Sequence, residues 1–173
     1  MNNFLYIKDN ILSKEDCNNI IKVCDKNLLP AHDLGYEYYD IKKIDLLKFL
    51  VNKSNFLIKD YLKLYPQLDL VSNKFGLTNI RFKKFNKNKS FGNWHSEHCI
   101  DYPFKILNIM YYLSDHNCGT LFYNDDLILS KKGRVAIFPS YFTHTHKGQV
   151  CPDGKIRYIL TGYFEFIKQY EKI

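Results

Sequence analysis

The residues best suited to chemistry are two histidines, a carboxylate and an arginine in the second half of the chain. His95 and Glu97 are separated by one residue, and His146 and Arg157 follow later. Because alternate residues of an extended segment point to the same side, His95 and Glu97 can meet a single cation. Two imidazoles and one carboxylate bind one face of a ferrous ion and leave its other positions open. The spacing therefore predicts an iron site made by His95, Glu97 and His146.

The sequence leaves open which of two histidines is the distal ligand. His144 and His146 lie on the same face of a strand predicted over 142–146, so parity does not separate them. The turn-forming residues that follow predict a chain reversal near 151–152. Such a turn would place His146 opposite Arg157 on the returning strand. We therefore take His146 as the ligand and keep His144 as the alternative.

Arg157 heads a β-rich stretch on which it shares a face with Thr161. An arginine directed into an apolar interior needs an anion, and its planar guanidinium binds a carboxylate through two hydrogen bonds. Asn108 and Tyr112 share a face of another predicted strand, and the Tyr112 phenol can reach the same carboxylate. The pattern predicts a carboxylate-binding pocket formed by Arg157, Tyr112, Thr161 and Asn108.

Residues beside the first two ligands are candidates for a substrate rim. Trp94, His98, Asp101 and Tyr102 flank them, and the alternatives are a core position for Trp94 and a solvated loop for the others. The segment 81–89 alternates basic and aromatic residues, a pattern that can follow phosphates. An amphipathic strand with one solvated face gives the same pattern and is the commoner case.

Composition narrows the class of protein. The chain has 173 residues, of which 46% are hydrophobic and 16% aromatic, so one domain can bury a full core. The net charge is +7 and the isoelectric point about 9.0, which permits an anionic partner without establishing one.

The cysteines and the chain start indicate a compartment. Five scattered cysteines, an odd number, argue against a disulfide framework, and no Cys-x-x-Cys pair suggests structural zinc. The first residues are too polar for a signal peptide, and no apolar run approaches the length of a membrane span. We expect a reduced, soluble, cytoplasmic protein with no membrane partner.

Periodicity predicts helices over 14–27 and 41–65, with an irregular loop between them at 28–42. After residue 75 short β-rich segments alternate with turns. The predicted strands are 3–8, 79–85, 104–113, 119–123, 126–130, 134–138, 142–146 and 156–166, with hairpin turns at 124–126 and 131–133. The predicted fold is mainly β (α+β), a double-sheet jelly roll with N-terminal helices packed on one sheet. We expect a single domain over 1–173, with 1–74 as mainly helical support and 75–173 as the jelly-roll core.

From about Phe85 to Phe164 the order of motifs resembles the prolyl-4-hydroxylase-like branch of the 2-oxoglutarate/Fe(II) dioxygenases. The motifs are His-x-acid at 95–97, Tyr-Tyr-Leu-Ser at 111–114, Cys-Gly-Thr-Leu-Phe at 118–122, Lys-Gly-Arg-Val-Ala-Ile-Phe-Pro-Ser at 132–140, His-Thr-His-Lys-Gly at 144–148 and Arg-Tyr-Ile-Leu-Thr-Gly-Tyr-Phe at 157–164. The segment 5–24 also resembles the N-terminal helix of that family.

The resemblance implies a double-stranded β-helix that binds Fe(II) and 2-oxoglutarate, uses O2, and is supported by ascorbate. It assigns His95, Glu97 and His146 to the iron. It assigns Arg157, aided by Tyr112 and Thr161, to the far carboxylate of 2-oxoglutarate. The implied reaction hydroxylates a prolyl or other peptidyl side chain, or a small molecule, with loss of CO2 from 2-oxoglutarate.

Three positions depart from relatives. Glu97 stands where most members of the family have Asp, and Phe85 stands where many have a tyrosine that bonds the cosubstrate. Tyr163 stands where the related nucleic-acid demethylases carry a second arginine, which weighs against that activity. Two alternatives remain: a nucleic-acid-directed oxygenase, and a non-catalytic metal-binding jelly roll in which Glu97 and Phe85 mark lost catalysis.

Overall fold

The computed structural model describes residues 3–31, 34–71 and 74–167, which form two β-sheets and two α-helices. The strands are β1 (Tyr6–Lys8), β2 (Leu29–Ala31), β3 (Tyr36–Asp40), β4 (Phe75–Phe85), β5 (Lys105–Tyr112), β6 (Gly119–Phe122), β7 (Leu127–Leu129), β8 (Val135–Pro139), β9 (His146–Gly148) and β10 (Arg157–Phe166). The helices are α1 (Lys14–Cys24) and α2 (Ile44–Leu64). Short 3-10 turns cover Asp25–Asn27, Pro66–Leu70 and Phe142–His144.

The two sheets are antiparallel. The larger has seven strands in the order β1-β8-β5-β10-β4-β3-β2, and the smaller has three in the order β7-β6-β9. Phe122 and Ile128 of the smaller sheet pack against Met110 and Phe138 of the larger one, so the sheets face each other. The helices cover the outer face of the larger sheet. This is the predicted jelly roll with N-terminal helices on one sheet, and the fold prediction is confirmed.

Strand β5 separates two apolar cores because its side chains alternate. Ile109 and Tyr111 pack under the helices, whereas Met110 and Tyr112 point between the sheets. The hydroxyl of Tyr111 bonds Ser54 Oγ of α2 at 2.7 Å, so the buried polar groups on the helix side satisfy each other. Anything bound between the sheets therefore sits on a rigid, fully packed strand.

Helix α1 begins as the sequence predicts. The Ser13 side chain accepts from the backbone N–H of Asp16 at 3.0 Å, and Asp16 Oδ2 accepts from the Ser13 N–H at 2.9 Å. This reciprocal capping box satisfies two otherwise unpaired donors. The predicted helix over 14–27 is correct except that its last three residues tighten into a 3-10 turn.

Three local predictions are wrong. The segment 28–42, predicted as an irregular loop, contains the β2–β3 hairpin, which pairs with β4 and extends the larger sheet. The segment 142–146, predicted as a strand, is a 3-10 turn up to His144 and enters β9 only at His146. The turn at 131–133 joins strands of different sheets, whereas the turn at 124–126 does close the β6–β7 hairpin.

Cys118 and Cys151 form a disulfide across 33 residues of chain, with their Cα atoms 5.0 Å apart. This corrects the expectation that the cysteines stay unpaired, because folding brings together two residues that share no sequence motif. Cys17, Cys24 and Cys99 are free. Among the residues described, no helix is both long and apolar enough to cross a membrane.

Candidate metal and cosubstrate site

The three predicted iron ligands meet at one point. His95 forms an isolated antiparallel bridge with His146, through backbone hydrogen bonds of 3.0 and 2.9 Å. The backbone N–H of Glu97 then bonds the carbonyl of Ser140 at 3.1 Å, which fixes the loop against the end of β8. His95 Nε2 lies 3.6 Å from Glu97 Oε1, and the ligand atoms of all three residues lie within 4.8 Å of one another. A single cation can therefore contact all three.

Hydrogen bonds fix the tautomers of both imidazoles. His95 Nδ1 lies 2.9 Å from the carbonyl of Asn93, and His146 Nδ1 lies 3.0 Å from the carbonyl of His144. A carbonyl can only accept, so each Nδ1 carries the proton and each Nε2 keeps its lone pair for a metal.

The charge states also suit a cation. Burial alone would raise the pKa of Glu97, but the neighbouring imidazole of His95 and the charges of Lys83 and Lys105 lower it to about 2. Burial and the neighbouring His95 lower the pKa of His146 to about 4. At neutral pH the site thus contains an ionised carboxylate and a neutral buried imidazole, which are the forms that bind metal.

The structure separates His144 from His146. His146 is buried, whereas His144 lies on the 3-10 turn with its Nε2 2.6 Å from the carbonyl of Asn3. His98 is also turned away, because its Nδ1 lies 3.1 Å from the carbonyl of Lys105. The 3-10 turn at Phe142–His144 separates the two histidines, because an unbroken strand would have kept both on one face.

Arg157 lines the same cavity as His95, Glu97 and His146, which we call the triad. The strand pairing that brings it there differs from the one that the sequence predicted. The prediction that His146 and Arg157 face each other across one hairpin is wrong, because β9 pairs with β6 while β10 pairs with β4 and β5. The two residues approach across the gap between the sheets. A Cβ on Gly148 would lie 3.1 Å from Arg157 Nη2, so this glycine makes room for the guanidinium.

The guanidinium of Arg157 is buried and has no carboxylate partner among the described residues. Nη1 donates to the carbonyl of Gly119 at 3.2 Å, and the ring of Phe85 lies 4.6 Å from Cζ. Arg157 Nε and Thr161 Oγ1 are buried and find no hydrogen-bond partner in the part of the chain that the structure describes. Burial lowers the pKa of Arg157 from its ordinary value, which reflects the cost of an unpaired charge. Both positions belong to residues that line one cavity, and a carboxylate bound there could satisfy them.

Of the two other residues predicted to bind the carboxylate, Tyr112 lines the cavity and Asn108 does not. The Tyr112 hydroxyl lies in the cavity and bonds Thr120 Oγ1 at 2.8 Å. Asn108 lies outside the cavity lining, and its Oδ1 accepts from Ser140 Oγ at 3.0 Å. Since the Ser140 carbonyl accepts from the Glu97 N–H, Asn108 supports the segment that carries Glu97.

Of the predicted rim residues, Trp94, His98 and Asp101 do not line the cavity that contains the triad and Arg157, whereas Tyr102 lines a separate cleft beside His95 and Glu97. Trp94 is 41% exposed, stands edge-on to Tyr123, and has the Lys147 ammonium 4.3 Å from its ring. Asp101 lies on an exposed turn. Their role in binding substrate stays a prediction.

This cleft, which the sequence indicated only at Tyr102, opens beside His95 and Glu97, on the side away from Arg157. Its volume is about 530 Å³. Its walls come from β3, β4, the 102–105 segment and β10, and its main side chains are Tyr36, Arg81, Lys83, Tyr102, Lys105 and Tyr163. The alternation of side chains along β4 could have identified Lys83, because Lys83 lies on the same face of the strand as Phe85. Tyr36 could not be found, because it depends on the unpredicted hairpin.

Two of the five basic residues in the segment 81–89 are neutralised by nearby carboxylates. Arg81 makes two hydrogen bonds to Asp40, at 2.7 and 3.0 Å. Lys84 bonds Asp25 at 2.9 Å. Lys83 is the exception on this strand, with its ammonium 5.0 Å from the Tyr36 ring. The solvated-face interpretation of this segment therefore fits better than a phosphate track.

The fold is that of the 2-oxoglutarate/Fe(II) oxygenase structures. The chain superimposes on a Pseudomonas putida prolyl-4-hydroxylase with a TM-score of 0.75 at 14% identity, covering 96% of this chain and 95% of that one. It superimposes on the viral collagen prolyl hydroxylase of Paramecium bursaria chlorella virus 1, in its 2-oxoglutarate complex, with a TM-score of 0.73 at 15% identity, covering 96% and 98%.

A third neighbour is a Trichoplax adhaerens prolyl hydroxylase in complex with a peptide of the hypoxia inducible factor degradation domain. Its TM-score is 0.68 at 16% identity, covering 95% of this chain and 84% of that one. No protein-family model matches the sequence, and no curated protein matches it. The likeness lies in the three-dimensional fold, which confirms the architecture that the sequence motifs indicated.

Proposed function

We propose that this protein is a 2-oxoglutarate- and Fe(II)-dependent oxygenase that hydroxylates a prolyl or other peptidyl side chain. The observation that carries the proposal is a metal-competent triad beside a buried arginine that has no carboxylate partner within the described ranges. His95, Glu97 and His146 converge on one point, and Arg157 and Thr161 offer unfilled hydrogen-bonding positions in the same cavity.

The residues present fit Fe(II). Two neutral imidazoles and a carboxylate on one face are the ligand set of non-haem iron oxygenases. When bound, iron together with 2-oxoglutarate and O2 supplies the oxidising power for hydroxylation, with ascorbate as a supporting reductant. The chain's part is to hold the ligands rigidly. The backbone bridge between His95 and His146 and the Ser140 contact to Glu97 do this.

The residues present also fit 2-oxoglutarate. Arg157 would bind its far carboxylate, and Thr161 Oγ1 would donate to the same group. Phe85 covers the guanidinium with an apolar ring and excludes water from the pair. A charge-assisted pair in such a site is strong because water does not compete for it.

The aromatic cleft beside the triad supports a peptidyl substrate. Tyr36 packs against Phe85 and Phe91, with ring centroids 5.4 and 6.3 Å apart, and forms a rigid wall next to His95. Aromatic-lined grooves suit prolyl rings, which bring apolar surface at low conformational cost. The Trichoplax neighbour was solved with a peptide, which is consistent with this choice.

Nucleic acid is the less favoured substrate. The pairing of Arg81 with Asp40 and of Lys84 with Asp25 removes cations that a phosphate backbone would need. Tyr163 occupies the position of the demethylases' second arginine, and its ring packs 3.7 Å from the Lys105 ammonium.

The test is turnover. The purified chain with Fe(II), 2-oxoglutarate, ascorbate and O2 is offered a proline-containing peptide library, a matched library with Ala in place of Pro, and an oligonucleotide panel. Succinate release and a mass gain of one oxygen are measured. We expect both with the proline peptides only, with loss in His146→Ala and retention in His144→Ala.

A mass gain on oligonucleotides would replace the peptidyl substrate while keeping the oxygenase. Tyr36→Leu should raise KM for peptide and leave 2-oxoglutarate affinity unchanged. If no succinate forms and 2-oxoglutarate does not bind the iron-loaded chain, the non-catalytic jelly roll is the correct interpretation.

A further inference from the structure

A second cluster of metal-ligand side chains lies on the far side of Arg157 from the triad. His116 and Cys118 precede β6, and Cys151 and Asp153 lie in the connection from β9 to β10. Within each pair one residue intervenes, and folding brings both pairs together. His116 Nδ1 lies 2.8 Å from Asp153 Oδ2, and the ligand atoms of His116, Cys151 and Asp153 lie within 4.8 Å of one another. Cys118 joins them through its bond to Cys151.

Two sulfurs, one imidazole and one carboxylate form a donor set suited to tetrahedral zinc. With Zn–S bonds of about 2.3 Å, two thiolates on one ion lie about 3.8 Å apart. The Cα atoms of Cys118 and Cys151 are 5.0 Å apart, so side-chain rotation alone can separate the sulfurs by this amount. The four side chains, which we call the Cys2HisAsp cluster, are mostly buried: the side chain of His116 is 2% exposed and that of Asp153 18%.

Neighbouring groups already orient these ligands. Ser114 Oγ lies 2.9 Å from His116 Nε2, which leaves Nδ1 directed at the cluster. Asp153 Oδ1 accepts from the Lys155 N–H at 3.0 Å, so its other oxygen points inward. Such supporting hydrogen bonds are typical of metal ligands.

The local charge also fits. Two thiolates and a carboxylate with Zn²⁺ leave one net negative charge. The Arg157 guanidinium, whose Nη1 lies 3.6 Å from Cys118 Sγ, supplies the opposite charge. A donor N–H to sulfur at this distance favours the thiolate form.

We propose that under reducing conditions the Cys2HisAsp cluster is a zinc site. A dithiol reductant gives two electrons to the Cys118–Cys151 bond and is itself oxidised to a disulfide. The two resulting thiols release their protons as Zn²⁺ binds. The ion then replaces the covalent link between β6 and the entry to β10 and holds the Arg157 end of the cavity. The proposal rests on these four side chains and is independent of the iron-dependent activity.

Zinc content and cysteine accessibility test the proposal. The protein is produced in a reducing cytosol and purified without chelator, in the His146→Ala background so that the triad retains no metal. We expect one zinc per chain, falling to none in Cys151→Ser and in Asp153→Ala. The control Cys99→Ser, which removes an exposed free cysteine, should keep it. Co(II) exchanged into the site should give a thiolate charge-transfer band that the triad, which has no sulfur, does not produce.

The unmutated chain gives a test that does not depend on variants folding. Alkylation followed by mass mapping should show Cys118 and Cys151 protected until a zinc chelator is added. Protection removed by reductant but not by chelator would establish a disulfide in the cell and overturn the proposal. Labelling of both cysteines without chelator, or a zinc content unchanged in both cluster variants, would also overturn it.

Discussion

Replacing Arg157 by methionine should have opposite effects on the free protein and on cosubstrate binding. Arg157 is 4% exposed, and among the described residues its guanidinium has no carboxylate partner and its Nε no hydrogen bond. An unpaired buried charge costs several kcal/mol, of which the bond to the Gly119 carbonyl offsets a part. Arg157→Met should therefore stabilise the disulfide-bonded protein without 2-oxoglutarate by about 1–2 kcal/mol, or about 2–8 °C in Tm for a domain of this size.

The same substitution should nearly abolish 2-oxoglutarate binding. Removing one partner of a buried, hydrogen-bonded charge pair costs about 2–5 kcal/mol. Each 1.4 kcal/mol is about tenfold in Kd, so binding should weaken by about 30-fold at the least. Arg157→Lys keeps the charge but loses the planar pair of donors. Its affinity for 2-oxoglutarate should therefore lie between that of the unmodified protein and that of Arg157→Met.

Thermal unfolding with and without 2-oxoglutarate, in the presence of redox-inert Ni²⁺, measures both effects. At 2-oxoglutarate concentrations of about 100 times Kd, the unmodified protein should gain about 2.7 kcal/mol. Arg134→Met is the matched control, because Arg134 is paired with Asp9 and lies outside the cavity. It should lose stability and keep its response to 2-oxoglutarate. An Arg157→Met protein that is less stable than the unmodified one and still shifts fully with 2-oxoglutarate would refute the reasoning.

Three further outcomes follow from single contacts. His146→Ala should lose bound Ni²⁺ or Fe²⁺ by metal analysis while His144→Ala retains it, and equal loss in both would contradict the assignment. Thr161→Val removes a buried hydroxyl without a partner, so it should stabilise the free protein by about 1 kcal/mol in urea unfolding and weaken 2-oxoglutarate binding by calorimetry. A loss of stability would show that the hydroxyl is satisfied. Hydrogen bonds from Arg134 and a neighbouring lysine lower the pKa of Asp9 to about 2, so its stabilising contribution is complete above pH 4 and is lost as the pH falls towards 2. After allowance for partial exposure, Asp9→Asn should cost about 1 kcal/mol at pH 7 and close to nothing at pH 2, and a pH-independent difference would exclude the ion pair as the cause.

The periodicity of the sequence predicted those elements whose formation depends on residues close together in the chain. The capping box at Ser13, the apolar spacing of α2 and the turn that closes β6–β7 all depend on residues a few positions apart. The sequence did not predict the β2–β3 hairpin within 28–42, because its strands are too short to show a clear alternation. Strand β3, which begins at Tyr36, is stabilised by pairing with β4, and β4 lies about forty residues further along the chain.

The sequence alone determined the types of residue in the site and the motif order that indicates an oxygenase fold. One-residue spacing was enough to join His95 to Glu97, because it follows from the geometry of an extended backbone. The tertiary structure decided everything that depends on which sheet a strand enters. It placed His146, and not His144, beside His95 and Glu97, placed Arg157 across the gap between sheets rather than across a hairpin, and joined Cys118 to Cys151. Strand parity is fixed within a segment, but the pairing of segments is set by burial of the whole core, and no local pattern encodes it.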